Sequence, residues 1–210
     1  MLTHQVIHES QRTLSCADFW ILLQENPAFR TEIAALFEHL ANLTENGGVP
    51  IPTAPEAWPI SLHARYGRRE ILAAVGHATE LRRPLERAGV VPLVSDRLCA
   101  LFVTLDKSEG FHDRVKYRDY AISPELFAWE TQNRAHAGNA LGKRFIESPA
   151  NGWRFFLFVR ESKEQEFVAV GEICLESFEA REKGPMPIVW RLLTPLSASL
   201  YRKFSILRDA

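Results

Sequence analysis

The chain is poor in the residues that build covalent or metal-held scaffolds. Its three cysteines, Cys16, Cys99 and Cys174, are odd in number and far apart, and no CxxC spacing occurs. That excludes a disulfide framework and a zinc ribbon. The seven histidines are scattered; His4 and His8 have i,i+4 spacing but no acidic or cysteine partner close by, so no metal is expected there. No apolar run approaches the roughly 18 residues of a membrane span. The N-terminus, MLTHQVIHESQRTL, lacks the basic-then-apolar pattern of a secretion signal, and the cytoplasm is the expected location, with no membrane partner. Catalytic signatures are missing as well. There is no GxSxG, no P-loop, no HExxH and no Rossmann glycine set, and no Cys–His or Ser–His–Asp pairing is specified. Neither cofactor nor enzymatic activity is expected.

What remains is the composition of a globular protein. Of 210 residues, 46% are hydrophobic and 24% charged, enough for one soluble domain with a sizeable core, or one domain with a helical lead-in. Net charge is −1 but unevenly spread. Residues 1–62 carry −5, residues 63–144 carry +4 and residues 145–210 are neutral. A locally basic middle is compatible with a phosphate-facing surface, although such a segment is often only solvated.

Three parts follow along the chain. The first is helical. Cys16–Gln24 reads as a short helix with Phe19, Trp20 and Leu23. Asn26-Pro27 opens a second, in which Ile33, Leu36, Phe37, Leu40 and Leu43 mark one apolar face. Two Gly and four Pro within residues 44–59 then predict a linker or extended arm. In the second part, RREILAAV reads as a helix stopped at Gly76. Arg65, Arg68 and Arg69 around Tyr66 suit either a phosphate clamp or a solvated helix end. Leu98–Leu105 is a buried strand that delivers Asp106 and Lys107 to its end. Tyr117–Ile122 reads as a more polar strand, and Pro124 as the start of a turn or short helix carrying Phe127 and Trp129. The third part is mostly β: Trp153–Arg160, Phe167–Leu175 and Pro187–Leu193 are strands, with a polar hairpin at Glu161–Glu166. Thr194-Pro195 is expected to cap a final helix, SASLYRKF. The chain reads as α+β, with helices first and then a small, strongly bent, mostly antiparallel sheet or barrel. Its expected domains are a helical lead-in with a Pro-rich arm over 1–60 and an α+β domain over 61–210.

The richest stretch runs from Leu105 to Gln132. Residues 117–129 alone crowd two Tyr, a Phe and a Trp among charges and amides within a turn-interrupted region. That mixture suits a pocket that stacks on a flat ligand and hydrogen-bonds its edge. The competing reading is that these rings are ordinary core. Asp106, Lys107 and Asp119 read equally as polar readers or salt-bridge partners. Glu161-Ser162-Lys163 has the E-x-K spacing of some metal-dependent nucleases, but it lies in a charged hairpin and lacks the second carboxylate such a site needs.

The runs FVTLDKSEGF, YRDYAISPELFAWETQ, FLFVRES and GPMPIVWRLLTPLSASLYRKF, with LLQENPAFRTEIAALFEHL and LHARYGRREILAAVG upstream, resemble the bacterial domain of unknown function 3427. The resemblance covers nearly the whole chain from about Asp18. In that family the domain usually ends a long protein, after a phospholipase-D-like nuclease and a superfamily-2 helicase. Some members are restriction enzymes that attack DNA containing methylated cytosine, with the C-terminal domain thought to recognise the modified base. This chain carries neither nuclease nor helicase motifs. The resemblance therefore implies a stand-alone reader, a separated subunit or a fragment, acting with DNA and a helicase or nuclease partner in restriction or phage defence.

On that reading the aromatic cluster would receive a flipped base. Flipping costs a few kcal/mol and stacking returns about 1–3 kcal/mol per ring. A buried methyl adds only about 0.8 kcal/mol, so a contact to the cytosine N4 amine must supply further discrimination. Tyr117, Tyr120, Phe127 and Trp129 are the stacking candidates, and Asp119, Gln132 and Asn133 the edge readers. Arg65, Arg68, Arg69, Lys107, Arg114, Arg134, Lys143 and Arg144 are the phosphate candidates. By analogy of function and strand content, the fold would be a barrel of the SET-and-RING-associated (SRA) or pseudouridine-synthase-associated (PUA) kind. The alternative is a regulatory domain that docks on a helicase or nuclease through its acidic helices and Pro-rich arm.

Overall fold

The computed structural model describes residues 15–45, 48–56, 58–78, 88–105 and 119–205. The chain forms two compact units, residues 1–86 and 87–210. Among the described residues no helix is long and apolar enough to cross a membrane.

The first unit opens with helices α1 (Cys16–Glu25) and α2 (Pro27–Glu45). The Ser15 hydroxyl accepts the Asp18 N–H at 3.1 Å and so caps α1. Proline occupies the first position of α2, where its missing N–H would be unpaired anyway. Phe19 and Leu23, one turn apart, are the buried side of α1. The segment expected as a linker or extended arm is instead a closed loop. Its ends pair through Ile51 N–H to Ile60 O at 3.4 Å and Leu62 N–H to Val49 O at 2.7 Å. Ile51 and Ile60 are both buried. Four prolines read as an extended arm because each fixes φ, but fixed φ also makes reproducible bends. A two-residue strand, β1 (Arg65–Tyr66), leads to α3 (Arg68–Ala74). There the Glu70 carboxylate reaches back to the Gly67 N–H at 2.6 Å, and Gly76 ends the turn at φ +74°.

The second unit contains β2 (Val90–Leu93), a 3-10 turn (Val94–Asp96), β3 (Leu98–Thr104), β4 (Tyr120–Ala121), β5 (Leu126–Glu130), α4 (Ala140–Ile146), β6 (Arg154–Arg160), β7 (Phe167–Phe178), β8 (Pro187–Leu192) and α5 (Ala198–Phe204). Among the described residues, its seven strands lie in the order β2-β3-β6-β7-β8-β5-β4. Only β3 and β6 run parallel, from Leu98 opposite Arg154 to Thr104 opposite Arg160; the other neighbours are antiparallel. β2 and β4 stand at the two ends of this order, so the sheet is open and not a closed barrel. Register shifts between Leu157 and Phe158, and between Leu175 and Ser177, interrupt the pairing of β7 with its two neighbours. Such bulges sharpen twist and bend a strand, and Gly171 takes φ +107° at the first of them.

The core follows from strand alternation. Leu101, Val103, Phe127, Trp129, Phe155, Leu157, Val170, Ile188 and Trp190 project to one face, where Phe145 of α4 and Phe204 of α5 join them. The opposite face of the central strands is buried too: Phe102 stacks on Phe158 at 5.4 Å and meets Phe167 edge-on at 5.1 Å. Arg160 lies 4.4 Å from the Phe167 ring centre.

Two sequence expectations fail locally. Pro124 does lie in a turn, closed by the Leu126 N–H to Ser123 O at 3.4 Å, but neither this turn nor a helix carries Phe127 and Trp129; residues 126–130 are strand β5. The alternation Leu-Phe-Ala-Trp-Glu, with Phe127 and Trp129 buried, satisfies a sheet position opposite β8. The final helix is capped by Ser197, whose hydroxyl accepts the Leu200 N–H at 3.3 Å, and not by Thr194-Pro195. Strand β2 and helix α4 were not expected at all.

Candidate nucleic-acid interface

The stretch that looked most like a pocket is divided by strand alternation into core and surface. Phe127 and Trp129 are 0% and 6% exposed. Trp129 packs edge-on against Phe145 at 5.2 Å and lies 6.2 Å from Trp190, whose ring is in turn 5.0 Å from Phe155. These rings are core, because both β5 aromatics fall on the inward set of a two-residue period. The Trp190 indole N–H, buried with them, has no hydrogen-bond partner among the described residues. Tyr120 is half-buried and stands opposite Ala128 on the edge hairpin. Asp119 is buried, and its carboxylate accepts the Glu130 N–H at 3.1 Å, which ties β4 to β5. Tyr117, Lys107 and Arg114 lie outside the described residues.

Gln132, Asn133 and Arg134 are exposed in the turn that leaves β5. That turn is fixed from beneath. The buried Thr131 hydroxyl donates to Ala135 O at 2.7 Å and accepts the Met186 N–H at 2.8 Å. Asn139 caps α4 by accepting the Gly142 N–H at 2.9 Å, and its amide donates to Arg134 O at 2.6 Å. Gly142 must be glycine, since a Cβ there would overlap the His136 backbone. Beside the turn, Arg181 forms a 3.1 Å ion pair with Glu179 and lies 3.6 Å from Glu130. The exposed amides of residues 132 and 133 thus sit on a rigid frame.

A second group gathers at the far end of α4. The Arg144 guanidinium lies 4.3 Å from the Trp153 ring centre, a cation–π contact on a half-buried ring. Asn151 holds the arrangement. Its amide donates to Arg144 O at 3.0 Å and Lys143 O at 3.3 Å, and its side-chain oxygen accepts the Trp153 N–H at 3.0 Å. Arg97 donates to Asn151 O at 3.2 Å from a left-handed backbone position, φ +50°. Gly152, at φ +76°, leaves room for it: a Cβ there would stand 3.1 Å from the Arg97 guanidinium. Arg97, Arg144 and one indole therefore gather around Asn151, with Lys143 exposed on the last turn of α4 and the carboxylates of Asp96 and Glu147 in the adjoining turns.

Lys143 and Arg144 were expected as phosphate contacts and are brought together here. Arg134 lies near the opposite, N-terminal end of α4. Arg65, Arg68 and Arg69 belong to the other unit, on β1 and at the first turn of α3. Arg97 and Trp153 were missed. The available signal was Asn151-Gly152, a turn dipeptide that places the following Trp at a strand entrance and not in its interior. Elsewhere the charges are paired along the sheet. Arg154 and Glu172 meet at 2.7 and 2.8 Å, as do Arg191 and Glu176. The Arg191 hydrogen bond holds the Glu176 carboxyl below its usual range. Burial pushes the Cys99 thiol up to about 12, which leaves it without thiolate chemistry.

A family profile matches residues 60–204, under the description Domain of unknown function (DUF3427). The chain belongs to the DUF3427 family. All of the second unit's strands and helices lie within the DUF3427 match, as do β1 and α3, whereas α1 and α2 precede it. Among solved structures, the chain is similar to the DNA modification-dependent restriction endonuclease AspBHI, with 14% identity, a TM-score of 0.39 and 71% of this chain covered. The chain covers 47% of that protein, about half its length. No curated protein matches the sequence.

Proposed function

We propose that the chain is a non-catalytic DNA-binding module that grips the duplex backbone through Arg97, Lys143, Arg144 and the Trp153 ring. The observation that carries this reading is the Arg144–Trp153 stack, with Arg97 hydrogen-bonded to the neighbouring Asn151 and the exposed Lys143 next to Arg144 on the last turn of α4. A guanidinium held over a ring keeps its donors available at the rim, and phosphate binding by such groups releases counterions. Nuclease or helicase activity, where it operates, belongs on this reading to a partner or to another part of a larger protein.

The finer part of the proposal is recognition of a modified cytosine of the 5-methylcytosine type, in the restriction or phage-defence setting that the family resemblance implies. Gln132 and Asn133, exposed on their fixed turn, have the donors and acceptors to read a base edge. Of the four aromatic stacking candidates, Tyr120 is the half-buried ring on the edge hairpin that would stack on the base. Phe127 and Trp129 support this frame from the core and take no part in contact.

Fluorescence-anisotropy titration tests both layers, with duplexes carrying one cytosine, 5-methylcytosine or 5-hydroxymethylcytosine at two salt concentrations. The proposal expects tighter binding to one modified duplex, with that preference lost in Gln132→Ala/Asn133→Ala. Equal affinity for all three duplexes removes modified-base reading and leaves backbone binding. Absence of binding to any duplex at low salt removes the DNA-binding reading altogether.

A further inference from the structure

Helices α1 and α2 lie outside the DUF3427 match and outside the DNA-binding reading, and they carry an unusual surface. Trp20 is 62% exposed, Ile21 53%, Leu36 51% and Phe37 50%, with Leu22 also open. Several large apolar groups exposed on a pair of neighbouring helices mark an interaction site more often than a solvated face. On α1 the positions are informative. Asp18, Ile21, Leu22 and Glu25 follow the i, i+3, i+4, i+7 spacing and so form one stripe, opposite the buried Phe19 and Leu23. The stripe has an apolar middle and a carboxylate at each end. Across residues 15–45, Asp18, Glu25, Glu32, Glu38 and Glu45 face a single cation, Arg30, for a net charge of −4.

We propose that the α1–α2 hairpin is the docking surface for a basic amphipathic helix of another protein. The apolar middle requires an occupant with an apolar face, and the flanking carboxylates require that face to be bordered by Lys or Arg. A second copy of the chain would bring −4 against −4. Nucleic acid would be repelled by the same charge. A basic amphipathic helix satisfies both demands, with its apolar residues on Ile21, Leu22, Leu36 and Phe37 and its cations beside Asp18 and Glu25. The unit that carries this hairpin is separate from the one with the Arg97–Trp153 surface, so the proposal stands whether or not the chain binds DNA.

The test uses the full chain and a fluorescein-labelled peptide with a Leu face and a Lys face at helical spacing, beside the same peptide with Glu for every Lys. The expected result is saturable binding of the basic peptide only. That binding weakens about tenfold in Ile21→Ser/Phe37→Ser, with unchanged melting, and by a similar factor in Asp18→Lys/Glu25→Lys. The first double variant alters exposed apolar positions outside the helix cap, which keeps folding separate from docking; Asp18 also accepts the Ser15 hydroxyl at 2.8 Å, so the second is compared with Glu25→Lys alone. Failure of the basic peptide to bind, equal binding of the acidic peptide, or indifference to both double variants overturns the proposal. So does concentration-dependent dimerisation in light scattering that Ile21→Ser/Phe37→Ser abolishes, because it assigns the surface to a second copy.

Discussion

Trp129 and Trp153 lie in the same unit, one among other rings and one beneath a guanidinium, and they have opposite fates. Trp129 sits at the inward position of β5, with Phe145, Phe155 and Trp190 around it. Trp153 sits one residue before β6, half-buried beneath the Arg144 guanidinium and tied to Asn151. Composition does not distinguish them; place relative to a strand does. A ring inside a two-residue alternation is committed to the core, whereas a ring at a strand entrance keeps one face for solvent, a cation or a ligand.

Substitution should separate the two rings sharply. Trp129→Ala removes a large ring from a packed core and should cost about 3–5 kcal/mol of stability, read as a loss of Tm. Trp153→Ala should cost about 1–2 kcal/mol, from partial burial and one cation–π contact. Comparable Tm losses for the two would break the distinction.

Asn151→Ala comes next. It deletes the amide that joins Lys143, Arg144 and Trp153, and at about 0.5–1.5 kcal/mol per net hydrogen bond a loss of about 1–3 kcal/mol is expected in chemical denaturation. The same substitution should weaken duplex binding by loosening the last turn of α4, which carries Lys143 and Arg144, from the backbone of Trp153.

Lys143→Ala is expected to leave stability nearly unchanged. It should lower affinity for every duplex alike and reduce the salt slope by about 1, the signature of one phosphate contact. A change confined to one base type would make Lys143 a base reader.

The smallest effect concerns pH and the first unit. Burial lowers the His63 pKa, and its Nε2 has no hydrogen-bond partner among the described residues. A histidine whose folded pKa lies below its unfolded value binds fewer protons when folded, so stability rises with pH. Full stability should hold above the usual value of about 6.5 and decline as pH falls from there toward the folded value. His63→Gln should flatten that slope in denaturation series at stepped pH.

Much of the sheet was legible. Leu98–Thr104, Arg154–Arg160 and the first half of β7 are apolar runs of strand length, and Gly76 and the Pro27 helix start mark their own positions. What escaped has physical causes. β2 is four residues long with Pro92 in it, which reads as a poor strand yet is tolerated at a sheet edge. Helix α4 has seven residues and a glycine forced by the approach of His136, too short for a helical period to show. Pro124 resembles a helix start because proline serves turns and first helical turns equally. As for the proposed DNA-facing surface, charge alone made Lys143 and Arg144 candidates. The packing that selects them arises between residue 97, residues 143–144 and residues 151–153, and no local pattern encodes that meeting.

The most direct test of the account is the affinity of the full chain for one duplex across a salt series, compared with Lys143→Ala/Arg144→Ala. The account predicts a linear fall of log affinity with log salt and a slope smaller by about 2 in the double variant, with melting preserved. An unchanged slope would contradict it and remove the Arg97–Trp153 surface from DNA contact.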